Sequence, residues 1–187
     1  MDPAELTDQQ LVERANSGDR TAFEALYLRY KGWAFRIALR ETGRDEALAA
    51  DAVQESFLYL LTKFPGFELR AKMTTFLYPV VKHSAQAVDR KRRRTTPAAA
   101  SPDEDNTPAG EPAPGNPSSL DGLRAAVSGL PEHQQEIVFM RFLDDMTLNE
   151  IALALGIPLG TVKSRLHHAI AALREDPICR RHFEIEP

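Results

Sequence analysis

The sequence predicts an all-α protein of two small helical domains joined by a flexible linker. Apolar residues recur at intervals of three and four in both halves, and the alternating pattern of a half-buried β-strand is absent. Residues 95–119 hold six of the thirteen prolines and no large apolar side chain. Such a segment buries too little surface to offset the entropy of ordering it. We therefore predict domains at residues 1–94 and 120–187, with a flexible acidic linker at 95–119.

The first two predicted helices follow from a capping signal and an aromatic stripe. Thr7 and Gln10 have the spacing of a capping box, so a short helix should begin there and end near Gly18. A longer helix follows, and Gly43 is its expected C-terminal stop. Its buried stripe has helical spacing and comprises Phe23, Leu26, Tyr27, Tyr30, Ala34, Ile37 and Ala38.

The third predicted helix runs from about Asp45 to Phe64 and has two different faces. One face is the predicted buried stripe, formed by Val53, Phe57, Leu60 and Phe64. The opposite face mixes acids with exposed leucines, which suits a protein partner better than plain solvent. It comprises Leu48, Asp51, Glu55, Leu58 and Thr62, with Gln54 at its edge.

The fourth helix is predicted to begin at Pro79, with residues 65–78 forming a loop before it. Proline in a helix interior costs about 3 kcal/mol, whereas at the first helical position it is harmless. Residues 70–94 hold eight basic side chains and one acidic side chain, although the formal net charge of the chain is −4. Basic residues interleaved with aromatic rings suit unstacked, single-stranded bases. A basic run alone is equally typical of a solvated tail.

The C-terminal half has the spacing of a helix-turn-helix. A first helix opens at Leu130-Pro131-Glu132, and Thr147 with Glu150 forms a second capping box before a short helix. Residues 156–158 then turn the chain into a longer helix, which in this motif enters the major groove. The side chains of the first helix that we predict to be buried are Ile137, Val138, Phe139 and Phe142. The apolar residues of the short helix are Leu148, Ile151, Ala152 and Leu155.

The last of these helices also has two faces. Its predicted buried stripe is Val162, Leu166, Ala169 and Leu173. Opposite that stripe lie Ser164, His167, His168 and Ala171, with Lys163 and Arg165 at the edges. An ordinary amphipathic helix with a solvated face is the alternative. Polar donors clustered in the first two turns favour a recognition helix, because that end inserts into DNA.

The motifs resemble regions 2 and 4 of the extracytoplasmic-function (ECF) sigma factors of the sigma-70 family. Region 4 is matched by Leu-Pro-Glu-His-Gln-Gln-Glu at 130–136, by residues 146–158 and by Gly-Thr-Val-Lys-Ser-Arg-Leu-His at 160–167. Region 2 is matched by Asp51-Ala-Val-Gln-Glu-Ser-Phe57 and by its neighbours at 22–27, 76–78 and 90–94. The resemblance implies a factor that binds core RNA polymerase and directs promoter-specific initiation, with no chemistry of its own.

The resemblance also implies binding surfaces. The face bearing Asp51, Gln54, Glu55 and Leu58 would dock on the clamp of the largest polymerase subunit, and region 4 would meet the flap of the second largest. Residues implied for the −10 element are Arg70, Lys72, Thr74, Phe76, Tyr78, Lys82, His83, Arg90 and Arg93. Residues implied for the −35 element are Thr161, Lys163, Ser164, Arg165, His167 and His168. In the linker, Asp103, Glu104, Asp105 and Glu111 would mimic nucleic-acid charge along the RNA path.

The chain departs from the family pattern at several places. The run Leu48-Ala49-Ala50-Asp51 holds fewer acids than is usual, so polymerase binding should be weak as it stands. Phosphorylation would restore negative charge, and we consider Thr62 and Ser56 as acceptors, with Thr62 favoured because it shares the outward face. Further departures are Phe76 for a usual tryptophan, His83 for asparagine, and His168 and Ile170 for arginines.

Two other classes of function remain open, and several features are expected to be absent. A sigma-like mimic that sequesters an anti-sigma regulator would not need the basic −10 segment. A helix-turn-helix regulator independent of polymerase would not need the motif at 51–57. We expect no enzyme activity, cofactor or metal, no role for the single cysteine, Cys179, and no membrane partner in a cytoplasmic protein. An anti-sigma factor or a Ser/Thr kinase would be the regulatory partner.

Overall fold

The computed structural model describes residues 5–95, 125–177 and 179–180. Every element with described bounds is an α-helix, so the predicted all-α class is confirmed. The chain divides into two compact units, one within residues 1–97 and one within 98–187. The domain limits at 94 and 120 stay predictions. The linker beyond Thr95, its four acids and the last seven residues lie outside the described part of the chain.

The N-terminal unit packs four helices around one core. They are α1 (Asp8–Asn16), α2 (Arg20–Glu41), α3 (Glu46–Leu61) and α4 (Met73–Thr95). Helices α2, α3 and α4 pack against one another, and α1 packs on α2. The largest fully buried side chains of this unit are Leu11, Val12, Leu26, Ile37, Leu60, Met73, Leu77 and Val81.

Local signals explain most of the helix boundaries in this unit. The predicted capping box of α1 is confirmed: the Gln10 amide donates to Thr7 Oγ1 at 3.3 Å, and the Thr7 amide donates to Gln10 Oε1 at 2.9 Å. Asp19 caps α2 through Thr21, whose hydroxyl and amide bonds help to lower the pKa of Asp19 to about 2. The prediction that α3 extends to Phe64 was wrong, because α3 ends at Leu61 and Phe64 lies beyond it, half-buried.

The start of α4 corrects the predicted loop at residues 65–78. The helix begins at Met73 and contains Pro79 in its interior, so Thr74, Phe76 and Tyr78 lie on helix rather than loop. Met73, Leu77 and Tyr78 are all at most 2% exposed. Burying one large apolar side chain is worth roughly 1.5–3 kcal/mol, so three of them outweigh the cost of one interior proline, about 3 kcal/mol.

Replacing Pro79 with alanine is expected to raise the free energy of unfolding by about 1–2 kcal/mol. Alanine restores the N–H that an α-helix directs at the Thr75 carbonyl, so one more helical hydrogen bond can form. Urea unfolding of the full chain measures the change. A loss of stability would instead indicate a helix that begins at Pro79, where proline is favourable.

The C-terminal unit is built from α5 (Glu132–Phe142), α6 (Leu148–Leu155) and α7 (Leu159–Glu175), with helical backbone also at 125–128. The three helices pack on one another around Ile137, Met140, Met146 and Ile151, each at most 1% exposed. A cluster of Val127, Leu130, Val138 and Ala169 carries Phe139, Leu166 and Leu173 against it.

The predicted capping box of α6 is confirmed. The Thr147 amide donates to Glu150 Oε2 at 2.8 Å, and the Glu150 amide donates to Thr147 Oγ1 at 3.3 Å. Gly156 ends α6 at φ 64°, a left-handed conformation that favours glycine. The turn from α6 into α7 is therefore built by local sequence, as the helix-turn-helix requires.

Phe142 was predicted to lie inside and is 57% exposed. The buried positions Ile137, Val138 and Met140 define a face centred near Ile137, and Phe142 lies about 140° from it at 3.6 residues per turn. Phe142 belongs instead to the surface of this unit. Across the described ranges, no helix combines the length and the apolar character that crossing a membrane requires.

Candidate functional surfaces

The outward face of α7 is polar where the recognition face was predicted. Lys163, Ser164, His167 and His168 are exposed, and Thr161 and Arg165 are half-buried. Val162 and Ala169 are fully buried on the other side and orient the helix. The rings of His167 and His168 lie 5.9 Å apart at 62° near the middle of α7, and Lys163 lies one turn before His167 on the same exposed side. The arrangement suits the base edges of a major groove.

The basic end of α4 is partly neutralised by acids within the same unit. Arg93 Nε lies 2.8 Å from Asp89 Oδ2, and Arg92 reaches Asp45 at 3.2 Å and Asp89 at 3.4 Å. Arg90 and Arg94 are exposed. The net charge of +7 on residues 70–94 already includes Asp89, but it does not include Asp45, which offsets part of the charge of Arg92 toward a polyanion.

The residues of the loop and of early α4 that were predicted to meet the −10 element differ in accessibility. Arg70 pairs with Glu68 at 2.7 Å, although both side chains are largely exposed and such a pair is weak. Thr74, Phe76 and Lys82 are half-buried, and Lys72 is exposed. Tyr78 is 2% exposed, so its ring offers no face to a base in this structure. The predicted aromatic contact with unstacked bases therefore depends on Phe76.

His83 is exposed one turn after Pro79. Its Nδ1 lies 2.8 Å from the Pro79 carbonyl, which can only accept, so Nδ1 is the donor. Nε2 is therefore the ring nitrogen left to meet a base edge, where an asparagine side chain would offer both a donor and an acceptor.

The outward face of α3 borders an apolar groove between α2 and α3. Asp51, Gln54, Glu55 and Leu58 are exposed, as predicted, and Leu58 is 53% exposed. The groove has a volume of about 650 Å³. Its lining includes Gln54, Leu58, Leu61, Tyr27 and Phe35. The surface thus combines carboxylates with an apolar depression, which is typical of a protein-docking site.

Sequence reasoning missed two parts of the exposed apolar surface. Tyr27 was assigned to the buried stripe of α2, but it is 37% exposed and its ring meets Phe57 edge-on at a centroid distance of 5.0 Å. In the C-terminal unit Phe142, Leu143 and Leu153 are 57%, 56% and 68% exposed. Only the exposed apolar side chains that adjoin one another point to a partner, and those that line the groove between α2 and α3 do so.

The two candidate phosphorylation sites differ in access. Thr62 is exposed at the C-terminal end of α3, where its hydroxyl donates to the Tyr59 carbonyl at 2.7 Å. Ser56 is 0% exposed and donates to the Ala52 carbonyl at 2.6 Å. A kinase would have to unfold part of α3 to reach Ser56. The thiol of Cys179 is also buried, and this burial raises the pKa of Cys179.

Comparison with known families assigns both units. The model of sigma-70 region 2 matches residues 26–95, and the model of sigma-70 region 4 matches residues 120–173. The ECF RNA polymerase sigma-E factor of Salmonella typhimurium strain LT2 is 30% identical, over 95% of this chain and 98% of the relative. The chain belongs to the ECF sigma factors of the sigma-70 family. The family prediction is therefore confirmed, and the sigma factor role is supported with it.

Other similar proteins agree on the family and on the fold. The sigma-E factor of Escherichia coli K12 is also 30% identical to this sigma factor, with the same coverage. Among solved structures, CnrH in complex with the cytosolic domain of CnrY has a TM-score of 0.63 at 19% identity, covering 96% of this chain and 99% of CnrH. RpoE in complex with the anti-sigma factor NepR, from Bartonella quintana, has a TM-score of 0.59 at 18% identity, covering 88% and 98%. At these identities the likeness shows the fold alone.

Proposed function

We propose that this sigma factor binds core RNA polymerase and directs initiation at promoters read through both of its units. The observation that carries the proposal is the polar, exposed N-terminal end of α7 on a helix-turn-helix whose cap, turn and core are all formed. Region 4 would read the −35 element with Lys163, Ser164, His167 and His168, and Thr161 and Arg165 would lie near phosphates. In the N-terminal unit, Arg70, Lys72, Phe76, His83 and Arg90 would open and hold the −10 element.

The two apolar surfaces would dock on polymerase. The groove beside Asp51, Gln54, Glu55 and Leu58 would take the clamp of the largest subunit, because its carboxylates and apolar lining suit a basic, amphipathic helix. The exposed side chains of Phe142, Leu143 and Leu153 would meet the flap of the second largest subunit. Neither surface includes the face of α7 that would read DNA.

Run-off transcription tests the proposed function. Purified chain and core polymerase are incubated with a pool of duplexes that carry randomised −35 and −10 elements, and transcripts are sequenced. Enrichment of a two-part promoter, absent with core polymerase alone, is the expected result. Absence of transcripts would contradict the proposal if the chain had also been treated with kinase and shown free of an anti-sigma partner.

The two alternative functions predict different results. A sigma-like mimic would bind an anti-sigma regulator but give no transcripts, and a polymerase-independent regulator would bind duplex DNA without forming a complex with core polymerase. The exposed cations Lys72, Arg90 and Arg94 disfavour the mimic. The apolar groove between α2 and α3 disfavours the independent regulator, because that function would leave the groove exposed to water with no partner to cover it.

Two ways of gating polymerase binding fit the α3 face. An anti-sigma partner that covers the apolar lining of the groove would compete with core polymerase for it. Phosphorylation of Thr62 would add a charge of about −1.5 to −2 one turn beyond Leu58, on the face that holds Asp51 and Glu55. The phosphate would supply the negative charge that the run at 48–51 lacks.

Replacing Thr62 with glutamate is expected to tighten the complex with core polymerase about three- to tenfold relative to Thr62→Gln. The two side chains have the same length, so the difference between them reports charge alone. Fluorescence anisotropy of labelled sigma factor at low salt measures both affinities. Equal affinities for the two variants would remove Thr62 as a regulatory site, while the run-off result for the wild-type chain would stand.

A further inference from the structure

We propose that Asn16 is a positioning residue for strand opening: its side chain holds the start of the loop that carries the −10 residues. Asn16 is the last residue of α1, whereas the loop lies some fifty residues later, between α3 and α4. The inference rests on the proposed function of that loop. It assigns to α1 a part in promoter opening through contacts that involve no DNA.

The Asn16 carboxamide bonds the loop backbone at three points. Its Oδ1 accepts from the Gly66 amide at 2.7 Å and from the Phe67 amide at 3.0 Å. Its Nδ2 donates to the Phe67 carbonyl at 2.9 Å. The Oδ1 atom thus accepts from two backbone amides of the loop, and the Nδ2 atom donates to one backbone carbonyl. A side-chain amide of this length provides an acceptor and a donor in fixed relative orientation.

The loop needs this external support at that position. Gly66 has φ 105°, a left-handed conformation that favours glycine, and in the unfolded chain glycine is the most mobile residue. The hydrogen bonds from Asn16 fix the backbone directly after Pro65, where the path toward α4 is set. Residues 68–72 follow at once, and all of them except the half-buried Leu69 are exposed, including Arg70 and Lys72.

Packed aromatic rings connect the loop that Asn16 holds to α4. Phe67 is 9% exposed, and its ring centroid lies 5.4 Å from that of Phe64 and 4.8 Å from that of Phe76. Phe76 is the half-buried aromatic residue of early α4 on which the proposed contact with unstacked bases depends. Asn16 therefore fixes Phe67, and Phe67 fixes the edge of Phe76 and the starting point of the basic loop.

A purely structural tie would have a different consequence. Hydrogen bonds between two segments of one core would, when lost, lower overall stability and leave promoter selectivity unchanged. Contacts that position the loop affect opening of the −10 element specifically. A loop with more conformations loses more entropy when it captures a base. The control is Thr7→Ala, which removes the capping box at the other end of α1 and leaves the loop contacts in place.

The test uses full-length sigma factor, core polymerase and a promoter that the wild-type holoenzyme transcribes. Permanganate reactivity of −10 thymines measures open complexes on the intact promoter and on versions with single −10 substitutions. Asn16→Ala is expected to reduce the yield of open complexes about tenfold on the intact promoter. It is also expected to bring the open-complex yields of the intact and the substituted promoters closer together, which is a loss of selectivity. Asn16→Asp, which keeps the acceptor but loses the donor, should lie between Asn16→Ala and wild type. Assembly with core polymerase should stay within twofold for all variants.

Thr7→Ala is expected to match wild type in both opening and selectivity, even where its melting temperature falls as far as that of Asn16→Ala. Wild-type opening and selectivity in Asn16→Ala, or an equal loss of selectivity in Thr7→Ala, would overturn the inference. Failure of the wild-type holoenzyme to open any promoter would instead count against the proposed function, so the two failures are distinguishable.

Discussion

Replacing Lys163 with glutamate is expected to reduce promoter-directed transcription about 100-fold without unfolding the protein. Lys163 is exposed in the first two turns of α7, where a recognition helix meets base edges. Loss of one good base contact costs roughly 1–3 kcal/mol, and the new carboxylate adds repulsion from the phosphates. Because the side chain is exposed, stability should change by no more than about 0.5 kcal/mol.

Arg174→Glu is the matched control for this prediction. It makes the same charge reversal on the same helix, but in the last turn, which a recognition helix does not insert. Run-off yield and binding to a −35 duplex are measured for both variants over a range of salt. Lys163→Glu should lose most of its binding, whereas Arg174→Glu should stay within about threefold of wild type. An equal loss in both variants would show that α7 contributes net charge alone and reads no sequence.

The helices and their caps could be predicted because the determinants are local. Thr7 with Gln10 and Thr147 with Glu150 lie three residues apart, and each pair forms the bonds that its spacing implies. The start of α4 could not be predicted in the same way. The cost of Pro79 is local, whereas the burial of Leu77 depends on helices that lie elsewhere in the sequence.

The same distinction separates the well-predicted parts of the candidate surfaces from the others. The faces of α3 and α7 follow from helical spacing, and their exposed residues agree with it, except that Leu48 of the predicted outward face of α3 is half-buried. The neutralisation of Arg92 depends on Asp45, which is 47 residues away, and the loop depends on Asn16, which is 50 residues away. The spacing of residues within one segment cannot predict contacts between segments that lie about fifty residues apart. A charge count therefore identifies a basic segment but not which of its cations a polyanion can use.

Replacing Leu58 with aspartate is expected to weaken binding to core polymerase about 100-fold. Leu58 is 53% exposed at the rim of the α2–α3 groove, beside Gln54. An apolar side chain that becomes buried in an interface is worth roughly 2–4 kcal/mol, and aspartate would bury a charge there. The unbound protein should be nearly unaffected, because the substituted side chain faces water. Anisotropy titration with core polymerase and urea unfolding measure the two quantities.

Leu28→Asp is the closest control that the chain offers. Leu28 is also a leucine, is also 53% exposed, and lies on α2 outside the lining of the groove. The same change at equal exposure should therefore leave polymerase affinity within about threefold of wild type. If both variants bind as tightly as wild type, the clamp does not dock on this groove. If both lose affinity equally, the interface extends over α2 as well, and the assignment to the α3 face was too narrow. Loss at Leu58 alone would assign polymerase binding to the groove, and regulation by added charge at Thr62 would then act on the same contact.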